Sequence, residues 1–238
     1  MIHLRRAKAE DTDHPPSRLV TTLDPTATAS EAYRTLRTNL LYSFVDNPPK
    51  VIMITSAGQQ EGKSTTCANL GVVLAQADMS TLIVDCDLRK PTVHKIFELR
   101  NLHGVTDVLA GQRALEEACQ EVQPGLKALS VGPIPPNPAE LLGSKRFANL
   151  MVEMRQEFDY VLVDASPVGL VSDPAIVASQ CDGVLLVLDA QHTRKGAFRQ
   201  AMRSLEGVGA NMLGIVVNNA AISKGTYYSY GEYKYGQQ

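Results

Sequence analysis

The sequence predicts an α/β fold built on a parallel sheet with helices on both faces. Six short apolar, largely β-branched runs lie at 51–55, 81–84, 128–131, 160–163, 183–188 and 212–217. They have the length of strands, and stretches of helical periodicity separate them over 63–77, 139–157, 172–179 and 194–207. Such alternation makes a sheet with covered faces and puts ligands at the carboxyl ends of its strands. Size agrees: 238 residues, 44% of them hydrophobic and 20% charged, fit one substantial core and would be cramped as two.

Taken in order, residues 1–29 are polar, carry Pro15, Pro16 and Pro25, and read as a loose arm. From Ser30 to about Phe44, Ala32, Tyr33, Leu36, Leu40, Leu41 and Phe44 recur at helical spacing. Ser30 reads as the N-cap, and Asp46, Asn47, Pro48 and Pro49 as the stop, so the helix is expected over 30–46. The αβ alternation then runs to residue 224, with 95–136 broken by Gly104, Gly111 and the prolines from Pro133 to Pro138. Residues 225–238, GTYYSYGEYKYGQQ, hold five of the eight tyrosines and nothing aliphatic, the composition of a mobile tail.

Charge and cysteine usage exclude several functions. A formal net charge of −2 gives no overall drive toward nucleic acid or an anionic membrane. Cys67, Cys86, Cys119 and Cys181 are scattered without a CxxC or a nearby histidine pair, so reduced thiols are expected rather than a metal centre. No apolar run of about 18 residues occurs and the first thirteen residues are charged, so neither a spanning segment nor a secretory signal is expected.

The chemistry gathers at strand ends. Ser56 to Thr65, SAGQQEGKST, follows the first strand and opens a helix. In such a loop Gly58, Gln59, Gln60, Glu61, Gly62, Lys63, Ser64 and Thr65 form an anion-binding concavity for nucleotide phosphates. Lys63 would reach the β and γ phosphates and the Ser64 hydroxyl would ligate Mg²⁺. Ala57 stands where the GxxxxGK[ST] pattern has its first glycine. Asp85 and Asp87 follow the second strand and Asp164 ends the fourth, hard oxygen ligands of the kind that Mg²⁺ beside a nucleotide takes. A helix cap or a loop hydrogen bond is the plain alternative for any one of them.

These residues resemble the bacterial tyrosine kinases of capsular and exopolysaccharide synthesis, the CpsD/CapB type, from about Ser30 to the C-terminus. The loop lacking its first glycine is one mark, and the hhhDxDxR run Leu82, Ile83, Val84, Asp85, Cys86, Asp87, Leu88, Arg89 is another. The resemblance implies a P-loop NTPase-like α/β fold, ATP and Mg²⁺ as cofactors, and tyrosine kinase activity. It gives Asp85, Asp87 and Asp164 the handling of Mg²⁺ and of the incoming phenol, with the metal on Ser64, Asp85 and Asp164 and the phenol's proton passing to either Asp85 or Asp87. It gives Glu31, Arg34 and Arg37, an ExxRxxR pattern, the joining of subunits into a ring, and Asn218 the adenine. The phosphate acceptors it implies are Tyr227, Tyr228, Tyr230, Tyr233 and Tyr235. A transmembrane co-polymerase or adaptor, a tyrosine phosphatase and a site at the inner face of the membrane complete the expectation, with no nucleic-acid partner.

Two departures are visible. After Asp164 the family commonly continues Thr-Pro-Pro, where this chain has Ala165, Ser166 and Pro167. Partition and cell-division ATPases of the MinD/ParA type carry a lysine where this chain has Gly58. An ATPase switch of that class without a protein substrate, and a nucleotide-binding scaffold with little turnover, are the rival readings; the tyrosine tail favours the kinase over both.

Overall fold

The computed structural model describes residues 19–44 and 48–220. Its centre is a seven-stranded sheet formed by β1 (Val51–Ser56), β2 (Thr81–Asp85), β3 (Gln120–Gln123), β4 (Leu126–Leu129), β5 (Tyr160–Asp164), β6 (Gly183–Asp189) and β7 (Met212–Asn218). They lie in the order β3-β4-β2-β5-β1-β6-β7. All neighbours are parallel except β3 and β4. The strands β1, β2 and β5 are buried along their whole length. They must satisfy apolar contacts on both faces, which explains their unbroken apolar runs.

One face is covered by α3 (Lys63–Ala75), with α1 (Val20–Leu23), α2 (Thr28–Tyr42) and α4 (Val93–Ile96) beside it. The other carries α5 (Val105–Ala110), α6 (Leu115–Ala118), α7 (Pro138–Leu142), α8 (Lys145–Glu157), α9 (Asp173–Ala178) and α10 (Lys195–Glu206). From Thr66 to Ala75 every residue of α3 is buried. It sits between the sheet and α2, so a helix that is apolar all round is what its place demands.

Four local readings change. The arm expected over residues 1–29 does not extend to its end: Leu19 and Thr21 are buried, and Thr21 Oγ1 donates to Asn69 Oδ1 of α3 at 2.8 Å. Ser30 is not the cap of α2 but lies inside it. Its hydroxyl reaches back to the carbonyls of Val20 and Asp24, and α2 ends at Tyr42 rather than near 46. The single helix expected over 139–157 is two, because Gly143 closes α7 and the Ser144 hydroxyl accepts from Phe147 N at 3.2 Å to open α8. The strand expected at 128–131 is Leu126–Leu129, and β3 is an added antiparallel edge. Its sequence, QEVQ, has no apolar run to announce it; Gly125, at φ +79°, makes the turn that folds it back.

Candidate active site

β1, between β5 and β6 in the sheet, ends at Ser56, and the loop to α3 is held by side-chain hydrogen bonds. Gly58 N donates to Glu61 Oε2 at 2.9 Å, and Thr193 Oγ1, from the loop after β6, donates to Glu61 Oε1 at 2.6 Å. Gly62 sits at φ +89°, and a Cβ there would lie 2.4 Å from Asn218 Nδ2. That amide donates to Glu61 O at 2.9 Å and to Thr66 Oγ1 at 3.3 Å. The side chain of Asn218 is thus engaged with the loop.

Register brings the acids together. Asp85 of β2 and Asp164 of β5 are direct partners at the carboxyl ends of adjacent strands, and Ile54 of β1 is the other neighbour of Asp164. Lys63, in the first turn of α3, reaches into this edge. Its Nζ lies 3.1 Å from Ser64 Oγ, 3.1 Å from Asp87 Oδ2 and 3.1 Å from Asp164 Oδ1. An ammonium has three hydrogens to give, and three oxygens surround it. Asp87 is held from its other side, since Ser166 Oγ donates to Asp87 Oδ1 at 2.8 Å and Lys90 N at 3.1 Å. Asp85 is turned differently. Its Oδ2 accepts from Thr92 N and Val93 N and its Oδ1 from Asp87 N, so its carboxylate is consumed in shaping the turn that presents Asp87.

The electrostatics follow from this burial. Asp164 is fully buried, and desolvation raises its pKa against the opposing pull of Lys63. Burial and then the Asp164 charge raise Asp85 toward neutrality, outweighing the amides of Val93 and Thr92. Burial also works against the charge of Lys63, yet Asp164 and Asp87 outweigh it and hold the ammonium well above its ordinary value. Asp164 Oδ2 is buried without a hydrogen-bond partner. An orphaned carboxylate oxygen is costly unless a cation or water completes it. Of the residues expected to hold Mg²⁺, Ser64 and Asp164 face this space, whereas both oxygens of Asp85 are taken by backbone amides; Ser64 Oγ and Asp164, with Asp87 beside them, are hard donors that fit Mg²⁺, which takes one or two carboxylates and keeps waters. Among the described residues no group of three or more His, Cys, Asp or Glu side chains is placed to hold a metal ion.

Other expected residues fall elsewhere. Gln59 and Gln60 are exposed at the tip of the loop and Thr65 is exposed on α3. Arg89 Nε and Nη2 bind Asp173 at 2.6 and 3.2 Å, which ties the turn after β2 to the start of α9. Arg34 pairs with Glu31 at 3.0 Å and donates to Pro25 O, while Arg37 donates to Val73 O of α3 at 2.8 Å. Two of the three charged residues of α2 therefore hold this chain's own fold. The five tail tyrosines lie outside the described residues. Ser166, Thr193 and Asp173 were missed. Only Ser166 had left a signal, as the departure from Thr-Pro-Pro.

Comparison with known proteins agrees with this fold. The ParA family model, described as NUBPL iron-transfer P-loop NTPase, matches residues 47–229. The tyrosine-protein kinase YwqD of Bacillus subtilis is 43% identical over 208 residues, 87% of this chain and 88% of its own. The kinase domain of the Escherichia coli tyrosine kinase ETK superposes with a TM-score of 0.82 at 30% identity, covering 92% of this chain and 85% of that one. The septum site-determining protein MinD of Pyrococcus horikoshii, solved with Mg-ADP, has a TM-score of 0.62 at 23% identity over 74% of this chain and 72% of its own, a likeness of fold alone. Such agreement over nearly the whole length of a relative, at an identity well above that of the MinD likeness, settles descent: this chain belongs to the bacterial tyrosine-protein kinases, on a ParA-type P-loop NTPase fold.

Proposed function

We propose that the chain is an ATP-dependent protein-tyrosine kinase that phosphorylates its own C-terminal tyrosines and thereby regulates capsular or exopolysaccharide synthesis. The observation that carries this is the Lys63 ammonium within 3.1 Å of Ser64, Asp87 and Asp164 at the mouth of a nucleotide loop. Lys63 and the amides at the start of α3 take the phosphates of ATP. Ser64 and Asp164 hold Mg²⁺, and the ion supplies charge neutralisation at the phosphates when bound. Asp87 is the base. The phenol oxygen bonds to the γ-phosphorus, the bond to the β-phosphate oxygen breaks, ADP leaves, and the phenol proton passes to Asp87. Asp85 positions Asp87 through its backbone amide. Such a site works by positioning and charge neutralisation. The place of Asn218 beside Gly62 supports a role in shaping the loop ahead of direct reading of the adenine.

The acceptors are Tyr227, Tyr228, Tyr230, Tyr233 and Tyr235 of a neighbouring subunit, and Glu31, Arg34 and Arg37 lie on the helix that joins subunits. Five phosphates would add about −7 to −10 charge, enough to repel neighbouring tails and loosen a ring. A transmembrane adaptor brings the kinase to the inner face of the membrane, and a tyrosine phosphatase resets it. Among the described residues no helix is long and apolar enough to cross a membrane. The rival reading, an ATPase switch, draws on the ParA match and the same pocket but leaves the tyrosine cluster without a use.

Labelled ATP and Mg²⁺, offered to the full chain with and without membranes of its parent cells, separate the two. Wild type is expected to take label as it releases ADP, and Asp87→Asn to slow labelling by about 10²- to 10⁴-fold. ADP release with no label on protein would establish the ATPase instead.

A further inference from the structure

The side of α10 that faces away from the sheet carries one sign of charge. Ala201 and Leu205 are buried against the core, while Lys195, Arg199 and Arg203, four positions apart, line the other side and are exposed. Arg194, the residue before the helix, adds a fourth exposed cation. None of the four takes part in an ion pair among the described residues. The acids that flank the stretch are Asp189 and, at the far end, Glu206; the Asp189 carboxylate is taken up by the amides of Gln191 and His192 and by Asn219. In a chain of net charge −2 this is a local excess, whereas a helix face that serves solvation alone mixes its signs.

An apolar strip lies on the same side of the sheet. Ile215 and Val217 are 46% and 51% exposed. Their register partners on β6 are Leu186 and Leu188, which belong to the core under α10, so both side chains emerge on that side from the outermost strand. The start of the tyrosine segment is tied to the same place. Gln191 Nε2, in the loop that leads into α10, donates to Asn219 O at 3.3 Å, and Asn219 Nδ2 donates to Asp189 Oδ2 at 2.7 Å. We propose that α10 and β7 form a docking surface for this chain's own phosphorylated tail, residues 221–238, with phosphates on Arg194, Lys195, Arg199 and Arg203 and tyrosine rings over Ile215 and Val217. This rests on the reading of the tail tyrosines as phosphate acceptors.

Charge and reach both select this occupant. Before phosphorylation the charged side chains of residues 221–238 are Lys224, Glu232 and Lys234, which offer four cations almost nothing to bind. Phosphorylation reverses the sign, and each phosphate presents three acceptor oxygens, which an arginine can take two at a time. The helix dipole adds to the attraction at Lys195, the end beside Asn219. The twelve residues of α10 are about 18 Å long, and the eight residues from Asn219 to Tyr227 span at most about 29 Å, so the tail can follow the stripe without leaving its own subunit. A tail held there is withdrawn from every catalytic cleft, and the four cations offset part of the repulsion that its phosphates bring.

A synthetic peptide of residues 221–238, with or without phosphate on its five tyrosines, is titrated with the full chain and read by fluorescence anisotropy. Chain stripped of phosphate is expected to bind the phosphopeptide at least tenfold more tightly than the plain peptide, and Arg199→Gln/Arg203→Gln to bind it at least tenfold more weakly than wild type. Lys127→Gln/Lys145→Gln removes the same charge from exposed side chains elsewhere and is expected to change the affinity less than twofold. Chain that has phosphorylated its own tail should bind at least tenfold more weakly, its surface being occupied. Equal affinity for the two peptides overturns the inference, as does an equal loss in the two double variants, or equal binding by chain with and without phosphate on its tail. Vesicles of phosphatidylglycerol form a second arm: their capture by wild type and release by Arg199→Gln/Arg203→Gln, with the phosphopeptide ignored, assigns the surface to a membrane instead. Label on the tail with the phosphopeptide ignored overturns the inference alone, whereas ADP released with no label on protein overturns the reading beneath it.

Discussion

At Gly62 a single hydrogen atom decides whether the nucleotide loop can form. Its φ of +89° is open to glycine, and Asn218 Nδ2 fills the space where a Cβ would stand. Gly62→Ala therefore meets a backbone penalty of about 1–2 kcal/mol and displaces Asn218 as well. Roughly tenfold weaker nucleotide binding is expected from calorimetric titration, and unchanged affinity would show that the loop adapts. The acids give a second expectation. A carboxyl whose folded-state pKa is raised adds stability below its unfolded value and loses it as pH climbs through the folded one. Burial and Asp164 raise Asp85 in this way, so the window runs from the ordinary carboxylate range, roughly pH 4, up to about 7. Urea unfolding of the nucleotide-free protein should give less stability near pH 8 than near pH 5, and Asp85→Asn should flatten the slope. Stability rising across that window would contradict the effect of burial and Asp164 on Asp85. The residues that sequence exposes best here are charged groups that border apolar strand runs or fall in a loop motif. Lys63, Asp85, Asp87 and Asp164 were all legible, but which carboxylate faces Lys63 was not, because the orientation of Asp85 depends on the amides of Thr92 and Val93 eight or fewer residues away.

Among the elements, α2 holds the fold through Arg37, and mutation tests whether it also has the oligomerisation role proposed for it. Arg37 is part-buried and bonds the Val73 carbonyl of α3, whereas Glu31 is 57% exposed. Arg37→Ala should cost about 1 kcal/mol of monomer stability, seen as an unfolding temperature lower by roughly 2–4 °C. Glu31→Ala should leave that temperature in place while shifting the oligomer in sedimentation toward smaller species. If the two variants behave alike, α2 has one role and not two. Long periodic elements were readable here: α3 and α10 and the strands β1, β2, β5, β6 and β7 lie within two residues of expectation. The pieces that were not readable are short and owe their form to distant partners. α1 has four residues, and Thr21 bonding to Asn69 across 48 positions of sequence fixes it. β3 is polar and exists because Gly125 turns it onto β4.

For the molecule as a whole, the sheet order sets a distance. From β7, where the described chain ends, to β2 is four strand steps, about 19 Å at the usual spacing. From Asn218 to Tyr227 is nine residues, which span at most about 30 Å when extended. Length alone therefore permits a tail to reach its own site, and the order of the reaction tells that route from transfer between subunits. Transfer between subunits is expected, so the labelling rate per chain should rise with protein concentration below the assembly threshold. A rate per chain independent of concentration would assign the reaction to a single chain. The central claim, that the Lys63 pocket passes phosphate to the tyrosine cluster, is tested most directly by mapping phosphate positions by mass spectrometry after incubation with ATP and Mg²⁺. Phosphate on Tyr227, Tyr228, Tyr230, Tyr233 or Tyr235 in wild type and its loss in Lys63→Met is the expected result; ATP consumed with those five tyrosines unmodified, or modified equally in both chains, would contradict it.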